Sequence, residues 1–191
     1  MSSDKDVKIV AFVGLTGSGK STAVDYMTEK GYPKVYFGGV ILQAVKDAGL
    51  EVNAENEKYI REKLRDDEGK DVVVNRIVKQ IRDLIGAGQH RIIADGLYTW
   101  TEYKIMKQEF PGELTVIAVV TPKHLRKRRM ADRPVRPLNS NEVDQRDWAE
   151  IENIEKGGPI AIADYFIHNE GDLEHLQKQI DNALDHVGFY Q

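Results

Sequence analysis

One short stretch of the sequence combines glycines, a lysine and a serine at a spacing suited to phosphate chemistry. Residues 14–21 read Gly-Leu-Thr-Gly-Ser-Gly-Lys-Ser, in which two glycines separated by four residues precede Lys20 and Ser21. Glycines let successive backbone N–H groups face one anion, and a helix that starts there adds the positive end of its dipole. In this pattern Lys20 would reach the β- and γ-phosphates of a nucleotide, and the Ser21 hydroxyl would hold Mg²⁺. The predicted phosphate-binding residues are Gly14, Leu15, Thr16, Gly17, Ser18, Gly19, Lys20, Ser21 and Thr22.

A second candidate group follows another apolar run. Residues 91–94 read Arg-Ile-Ile-Ala and are followed by Asp95 and Gly96. Ligands of open α/β sheets bind beyond the carboxyl ends of the strands, so we expect Asp95 at the same edge as the glycine loop. There it could hold Mg²⁺ with Ser21 by orienting water on the metal, or accept the proton of an attacking oxygen. The alternative is a solvated aspartate, because Asp-Gly is a common turn pair.

Positive charge is concentrated in one segment of an otherwise acidic chain. Residues 123–136 contain seven of the 27 Lys and Arg residues. On a helix, Arg126, Arg129 and Arg133 would share one face. Arginine stabilises the charge of a transferred phosphoryl group, so the pattern favours a catalytic role for at least one of them without identifying which. The alternatives are a solvated charged helix or a nucleic-acid patch.

Two further positions leave alternatives open. Arg146 is flanked by Asp144 and Asp147, and it either returns to the same site or forms an ordinary surface ion pair. The apolar run 165–168 ends at Asn169, at the same predicted edge, where the pattern alone favours a tight turn. The five histidines show no metal-ligand spacing and are interpreted as structural or surface groups.

The hydrophobic pattern predicts the elements that position these groups. Five apolar runs alternate with helical patterns, which indicates an α/β fold with a parallel sheet between two layers of helices. Thr121 is predicted to cap a helix that ends near Arg133, and the Gly-Gly-Pro sequence of residues 157–159 is predicted to end the next one. Two long connections, residues 38–71 and 131–141, are candidate flaps over a ligand, with ordinary surface loops as the alternative. The predicted strands are residues 7–13, 34–37, 91–94, 114–120 and 165–168.

Length and composition limit the classes of protein. The 191 residues predict one domain, and an apolar content of 41% suffices for a buried sheet. The net charge of −4 disfavours bulk nucleic-acid binding. The sequence contains no cysteine, no apolar run of membrane-spanning length and no apolar core of a signal peptide in its polar N-terminus. We therefore expect a cytoplasmic protein without membrane contact, and the oligomeric state stays open.

The loop, the Asp-Gly strand end and the arginine segment together resemble the nucleoside-monophosphate-kinase group of P-loop folds, over most of residues 7–187. The sequence is similar to dephospho-CoA kinases and to an uncharacterised adenylate-kinase-related family. The segments that carry the second similarity are residues 64–65 with 69–71, 95–96, 146–147, and 163–164 with 167 and 169.

This resemblance implies a three-layer α/β/α P-loop NTPase core with a five-stranded parallel sheet. It implies an acceptor-binding lobe at residues 38–71 and a short lid at residues 131–141. It also implies ATP and Mg²⁺ as the phosphoryl donor and its metal, with the turn that starts at Asn169 close to adenine. The catalytic residues that it implies are Lys20, Asp95, Arg129 and Arg133.

The acceptor side departs from the adenylate-kinase pattern. Those kinases carry Gly-Asp and then an arginine in the acceptor lobe, where this sequence has Gly39 and Leu42. Arg61 and Arg65, four residues apart on one helix face, are therefore predicted to supply the missing substrate contact. Arg146 is a further candidate for substrate binding.

These observations predict a P-loop small-molecule kinase, an ATP- and Mg²⁺-dependent phosphotransferase that acts on a nucleotide or nucleotide-like acceptor. A nucleotide-binding switch or slow NTPase without a small-molecule acceptor is the alternative, since a fold does not define a function. A third interpretation, an RNA-associated NTPase that uses residues 123–136, is disfavoured by the acidic composition. The sequence does not identify the acceptor or separate ATP from GTP.

Overall fold

The computed structural model describes residues 6–190, and the polar N-terminal residues 1–5 lie outside the described part. The strands are β1 (Lys8–Val13), β2 (Lys34–Tyr36), β3 (Arg91–Asp95), β4 (Leu114–Val120) and β5 (Tyr165–His168). The helices are α1 (Lys20–Glu29), α2 (Phe37–Asp47), α3 (Ala54–Glu68), α4 (Val72–Gly86), α5 (Trp100–Glu109), α6 (Lys123–Ala131), α7 (Ser140–Glu152), α8 (Gly157–Ala161) and α9 (Leu173–His186). Within residues 6–190, no helix has the length and apolar character needed to cross a membrane.

All five strands form one parallel sheet in the order β2-β3-β1-β4-β5. The register pairs Phe12 with Asp95 and Val120 with His168, so the carboxyl ends of four strands meet at one edge. The three central strands, β1, β3 and β4, are nearly continuous apolar runs because helices cover both faces of the sheet there. The predicted three-layer fold with a five-stranded parallel sheet is confirmed.

Alternate residues of β1 belong to two separate hydrophobic cores. Ile9, Ala11 and Val13 pack with α4 and α5, whereas Val10 and Phe12 pack with α1 and α9. This division follows from the two-residue period of a strand. Each fully buried Ile or Phe side chain contributes about 1.5–3 kcal/mol of transfer free energy. The two cores therefore fix the sheet whose edge carries the candidate site.

The long connection between β2 and β3 contains a small helical lobe. Ile41 and Val45 of α2 pack against Ile60 of α3 in a third hydrophobic cluster. Most other side chains of α3 are exposed, because this helix rests on its neighbours along a single apolar face. The predicted flap at residues 38–71 is therefore largely a packed helix pair.

One prediction about α6 is wrong. Thr121 does not cap the helix, because Pro122 occupies the N-cap position and no side chain caps the first turn. The Thr121 hydroxyl instead lies within hydrogen-bond distance of the carbonyl oxygens of Ser18 and Asn169, at 2.9 and 3.0 Å. The predicted end of the helix near Arg133 is confirmed. α6 ends at Ala131, and Arg133 precedes a proline, which disfavours the helical conformation there.

Two other helices also differ from prediction. Residues Gly157–Ala161 form α8, although their Gly-Gly-Pro sequence predicts the end of a helix. A side chain at Gly158 would come within 2.8 Å of Trp100, so glycine allows α8 to pack closely on α5. The predicted elements also omit α5, whose start carries a capping box between Thr99 and Glu102. That Thr-x-x-Glu pattern is a recognisable sign of a helix start.

Candidate active site

The glycine loop joins β1 to α1 at the edge where the strands end. Gly17 and Gly19 have φ angles of +81° and +98°, a region that favours glycine. A methyl group on Gly19 would come within 2.2 Å of the Asn169 amide nitrogen, so this position also lacks room for a side chain. No side chain caps the N-terminus of α1. Its first N–H groups are therefore available to an anionic ligand.

Lys20 and Asp95 form an ion pair beside this loop. The lysine begins α1, the aspartate ends β3, and 2.5 Å separates Nζ from Oδ1. β3 neighbours β1 in the sheet, which brings the carboxylate to the loop. The Lys20 ammonium group also lies 5.7 Å from the ring centroid of Tyr98. The structure therefore brings together the lysine and the aspartate that the sequence predicts.

Ser21 and Asp95 offer the oxygen ligands that Mg²⁺ prefers. Within residues 6–190, no group of three or more His, Asp or Glu side chains could enclose a metal ion. Mg²⁺ in phosphoryl-transfer sites usually takes one or two protein groups and completes its shell with substrate phosphates and water. The donor set therefore fits a metal held jointly by the protein and a nucleotide.

Two polar side chains that directly follow β4 and β5 contact the loop at the Ser18 carbonyl oxygen. The Asn169 amide nitrogen donates to the Ser18 carbonyl oxygen over 2.8 Å, and the Thr121 hydroxyl lies 2.9 Å from the same oxygen. Asn169 is buried and lies outside the lining of the cavity described below. Its side chain, which the resemblance implies near adenine, therefore supports the phosphate loop.

One arginine of the basic segment is used for structure. Arg126 is 5% exposed and donates two hydrogen bonds to Asp147, over 2.8 and 2.7 Å. It also donates to the Thr16 carbonyl oxygen over 3.0 Å. Bidentate arginine–carboxylate pairs are strong and directional. This pair therefore fixes α6 to α7 and both to the loop.

The other cations of the segment divide into three groups. Lys123 and Lys127 form ion pairs with Asp144, at 2.6 and 2.8 Å. Arg128 is exposed. The remaining three arginines, which include the predicted catalytic pair, line a cavity over the phosphate loop: Arg129, Arg133 and Arg136.

Glu150 connects the loop to two further cations. Its carboxylate accepts hydrogen bonds from the Thr16 hydroxyl over 2.7 Å and from the Thr16 N–H over 3.3 Å. It also accepts from Lys156 Nζ over 2.9 Å and from Arg146 Nε over 3.3 Å. Arg146 Nε donates to the Thr16 hydroxyl as well, over 2.9 Å. Of the two interpretations of Arg146, the geometry therefore favours a return to the same site.

Burial and the charge of the partner have opposite effects on the pKa values of Glu150 and Lys156. Burial disfavours the charged form of Glu150, but Lys156 and the Thr16 hydrogen bond outweigh it and lower the pKa of the carboxyl group. For Lys156, burial is the stronger effect, and its pKa is lowered despite the neighbouring carboxylate. Both groups are almost fully buried, at 8% and 5% exposure.

A cavity of about 840 Å³ opens over the phosphate loop. The whole predicted loop, residues 14–22, lines it. Arg61 and Arg65 of α3 do not belong to the lining, so the structure does not bring them to the other predicted substrate residue, Arg146. Among the described residues that line it, Glu150 is the one carboxylate, and Asp95 does not belong to the lining although its partner Lys20 does. The six cationic side chains among them are Lys20, Arg129, Arg133, Arg136, Arg146 and Lys156.

Besides the apolar Met130, Leu138 and Ile154, four polar lining residues are missing from the sequence prediction. Tyr36 ends β2 and Tyr98 follows β3, so the strand-end rule that selects Asp95 could have found both. Burial and the negative charge of Asp95 raise the pKa of Tyr98, which stays a neutral hydroxyl. Glu150 and Lys156 belong to no recognisable motif, and 134 positions separate Glu150 from its partner in the loop.

With its parallel sheet, phosphate loop and loop lysine, the chain has the features of a P-loop fold. The model of the AAA domain family matches residues 10–165. A UPF0200 protein of Thermococcus onnurineus is 30% identical over 182 residues, which cover 94% of this chain and 97% of the relative. The chain therefore belongs to the AAA domain family and to the UPF0200 proteins.

Solved kinase structures have the same fold. Shikimate kinase from Bacteroides thetaiotaomicron gives a TM-score of 0.57 at 11% identity, over 95% of this chain and 98% of the kinase. A gluconokinase from Sinorhizobium meliloti 1021 gives a TM-score of 0.54 at 14% identity, over 97% and 98%. At these identities the likeness concerns the fold alone. The predicted P-loop kinase fold is confirmed.

Proposed function

We propose that this protein is a phosphotransferase that moves the γ-phosphoryl group of ATP, with Mg²⁺, to a nucleotide or nucleotide-like small molecule. The proposal depends on one observation: the phosphate loop opens into a cavity lined by six cationic side chains and one carboxylate. Preorganised cations of this kind stabilise the charge spread over the oxygens of a transferred phosphoryl group.

Each predicted group has a chemical role in this proposal. The loop N–H groups and Lys20 would hold the triphosphate. Arg129 and Arg133 would contact the phosphoryl group as it moves. Ser21 and Asp95 would hold Mg²⁺, which when bound supplies positive charge beside the β- and γ-phosphates.

The transfer itself exchanges one phosphorus–oxygen bond for another. An acceptor oxygen forms a bond to the γ-phosphorus while the bond to the β-phosphate oxygen breaks, and ADP leaves with that electron pair. If the acceptor oxygen is a hydroxyl, its proton goes to the Asp95 carboxylate. The acceptor would lie between Asp95 and the α2–α3 lobe, with Arg146 as a contact. Arg61 and Arg65 would contact only an acceptor that extends beyond the cavity along α3.

Phosphorus NMR can test this function directly. The protein is incubated with ATP and Mg²⁺ and a panel of nucleosides, nucleoside monophosphates and dephospho-CoA. The proposal expects one acceptor to gain phosphate with the wild type and none to gain it with Lys20→Met. Release of phosphate without any phosphorylated acceptor would support a slow NTPase instead. Absence of nucleotide binding in calorimetry would exclude both functions.

A further inference from the structure

Two lysine–carboxylate pairs lie on one tyrosine ring in the cavity. Lys20 pairs with Asp95 and lies 5.7 Å from the ring centroid of Tyr98. Lys156 pairs with Glu150 over 2.9 Å and lies 4.9 Å from the same centroid. Both lysines line the cavity. A second ammonium group is therefore present close to the one that the phosphate motif supplies.

The Glu150–Lys156 pair carries a free-energy cost of burial, and Glu150 contacts a backbone N–H group of the phosphate loop. Lys156 is 5% exposed, and burial lowers its pKa. Taking a cation out of water is unfavourable unless an anion compensates it. The compensating carboxylate, Glu150, also accepts the Thr16 N–H, a backbone donor of the phosphate loop. A negative group thus already occupies a donor of the kind that such loops offer to phosphate.

We propose that Lys156 is a second phosphate-binding lysine, which contacts the terminal phosphate of a bound nucleoside triphosphate. Glu150 takes the place of that phosphate at Lys156 and at the Thr16 N–H until the nucleotide binds. The terminal phosphate is the relevant group because Lys20, on the same tyrosine ring, reaches the β- and γ-phosphates in this motif. The proposal rests on the nucleotide binding described under the proposed function and adds a residue that no motif supplies.

The proposal predicts that Lys156 separates triphosphates from diphosphates. Titration calorimetry with Mg²⁺ would compare ADP with the non-hydrolysable ATP analogue adenylyl imidodiphosphate. In Lys156→Met, the analogue should lose about 10- to 100-fold in affinity, the equivalent of one hydrogen bond to a charged group. The affinity for ADP should change by less than about twofold, because ADP lacks the phosphate that Lys156 contacts.

Lys107 offers a matched control. It also pairs with an aspartate, Asp164 at 2.7 Å, and lies 6.0 Å from the ring centroid of Tyr103, but it does not line the cavity. Lys107→Met should leave both affinities unchanged. Lys156→Arg should keep part of the preference for the analogue, because the charge remains.

A double variant guards against a folding defect. Lys156→Met alone leaves the Glu150 charge buried without its partner, whereas Lys156→Met with Glu150→Gln removes both charges. The double variant should show the same selective loss for the analogue. Equal losses for ADP and the analogue would mean that Lys156 only supports the loop, and would overturn the proposal. If the wild type binds neither nucleotide, both the proposed function and the proposal about Lys156 are overturned.

Discussion

Two regions of the chain hold the phosphate loop, and they differ in how the sequence encodes them. The first, residues 8–29, contains the strand, the loop and the helix in one continuous stretch. The second, residues 121–156, supplies Arg126 and Glu150 to the loop from more than a hundred positions away. The first region contains the whole phosphate-loop pattern by itself. The second brings buried charges to that site, and these can be recognised only in the folded chain.

Removal of the motif lysine should have the largest effect on activity. Lys20→Met should reduce the rate of phosphoryl transfer by about 10²- to 10³-fold, as when one preorganised donor to a transition state is lost. Initial rates and the melting temperature would be measured together. A variant that stays folded and keeps full activity would show that the first region does not control the chemistry.

Disruption of the buried ion pair should have the largest effect on stability. Arg126→Met leaves the Asp147 carboxylate buried without its partner and should cost about 3–5 kcal/mol in the free energy of unfolding. Replacement of both residues, as Arg126→Met with Asp147→Leu, should recover much of this loss. Urea denaturation measures both variants. A cost below about 1 kcal/mol for the single variant would show that the second region does not stabilise the loop.

The stability cost of replacing Gly19 in the first region should depend on its contact with Asn169, which lies outside that region. Gly19→Ala should cost more than the roughly 1 kcal/mol of an unfavourable φ angle, because its methyl group would meet the Asn169 side chain. Gly31→Ala is the control, since Gly31 has a φ angle of +92° but no atom within 4 Å of the added carbon. The melting temperatures of the two variants would be compared with that of the wild type. Equal losses would contradict a tight contact between loop and asparagine.

The smallest effect concerns acid stability. The pKa of Glu150 is lowered in the folded protein from an ordinary value of 4.5, so the folded state binds its proton less readily than the unfolded state. The stabilisation is therefore complete above pH 4.5 and is lost as the pH falls below that value. Glu150→Gln should remove this part of the acid dependence. The free energies of unfolding of the wild type and the variant, measured between about pH 3 and 6, should differ more as the pH rises. A difference that does not change with pH would contradict the prediction.

The sequence reveals the first region more completely than the second for a physical reason. A glycine loop with its lysine, and a strand that ends in aspartate, are local patterns whose chemistry depends on neighbouring residues. The buried contact of Glu150 with Lys156 forms only after α6 and α7 fold back over the loop. Arg126 shows the same limit, because its helical face can be predicted from spacing whereas its burial depends on Asp147.

The secondary-structure elements show the same division between features that local patterns predict and features that depend on packing. The three central strands, β1, β3 and β4, are recognisable because they are apolar on both faces, which parallel packing requires. α8 is hard to recognise because Gly158, which makes room for Trp100, is a residue type that usually indicates the end of a helix. Arg61 and Arg65 share a helix face as predicted, yet the position of α3 relative to the cavity depends on packing of the lobe, which spacing does not encode.

The buried Arg126 ion pair also determines how the cavity can change shape. It anchors the two helices on either side of the arginine-bearing connection. Within that connection, the Leu138 N–H donates to the Met130 carbonyl oxygen over 2.9 Å, which closes it into a compact loop. Arg133 and Arg136 therefore lie on a short connection that is held at both ends. The distance that they can reach depends on the length of their side chains rather than on the movement of a domain.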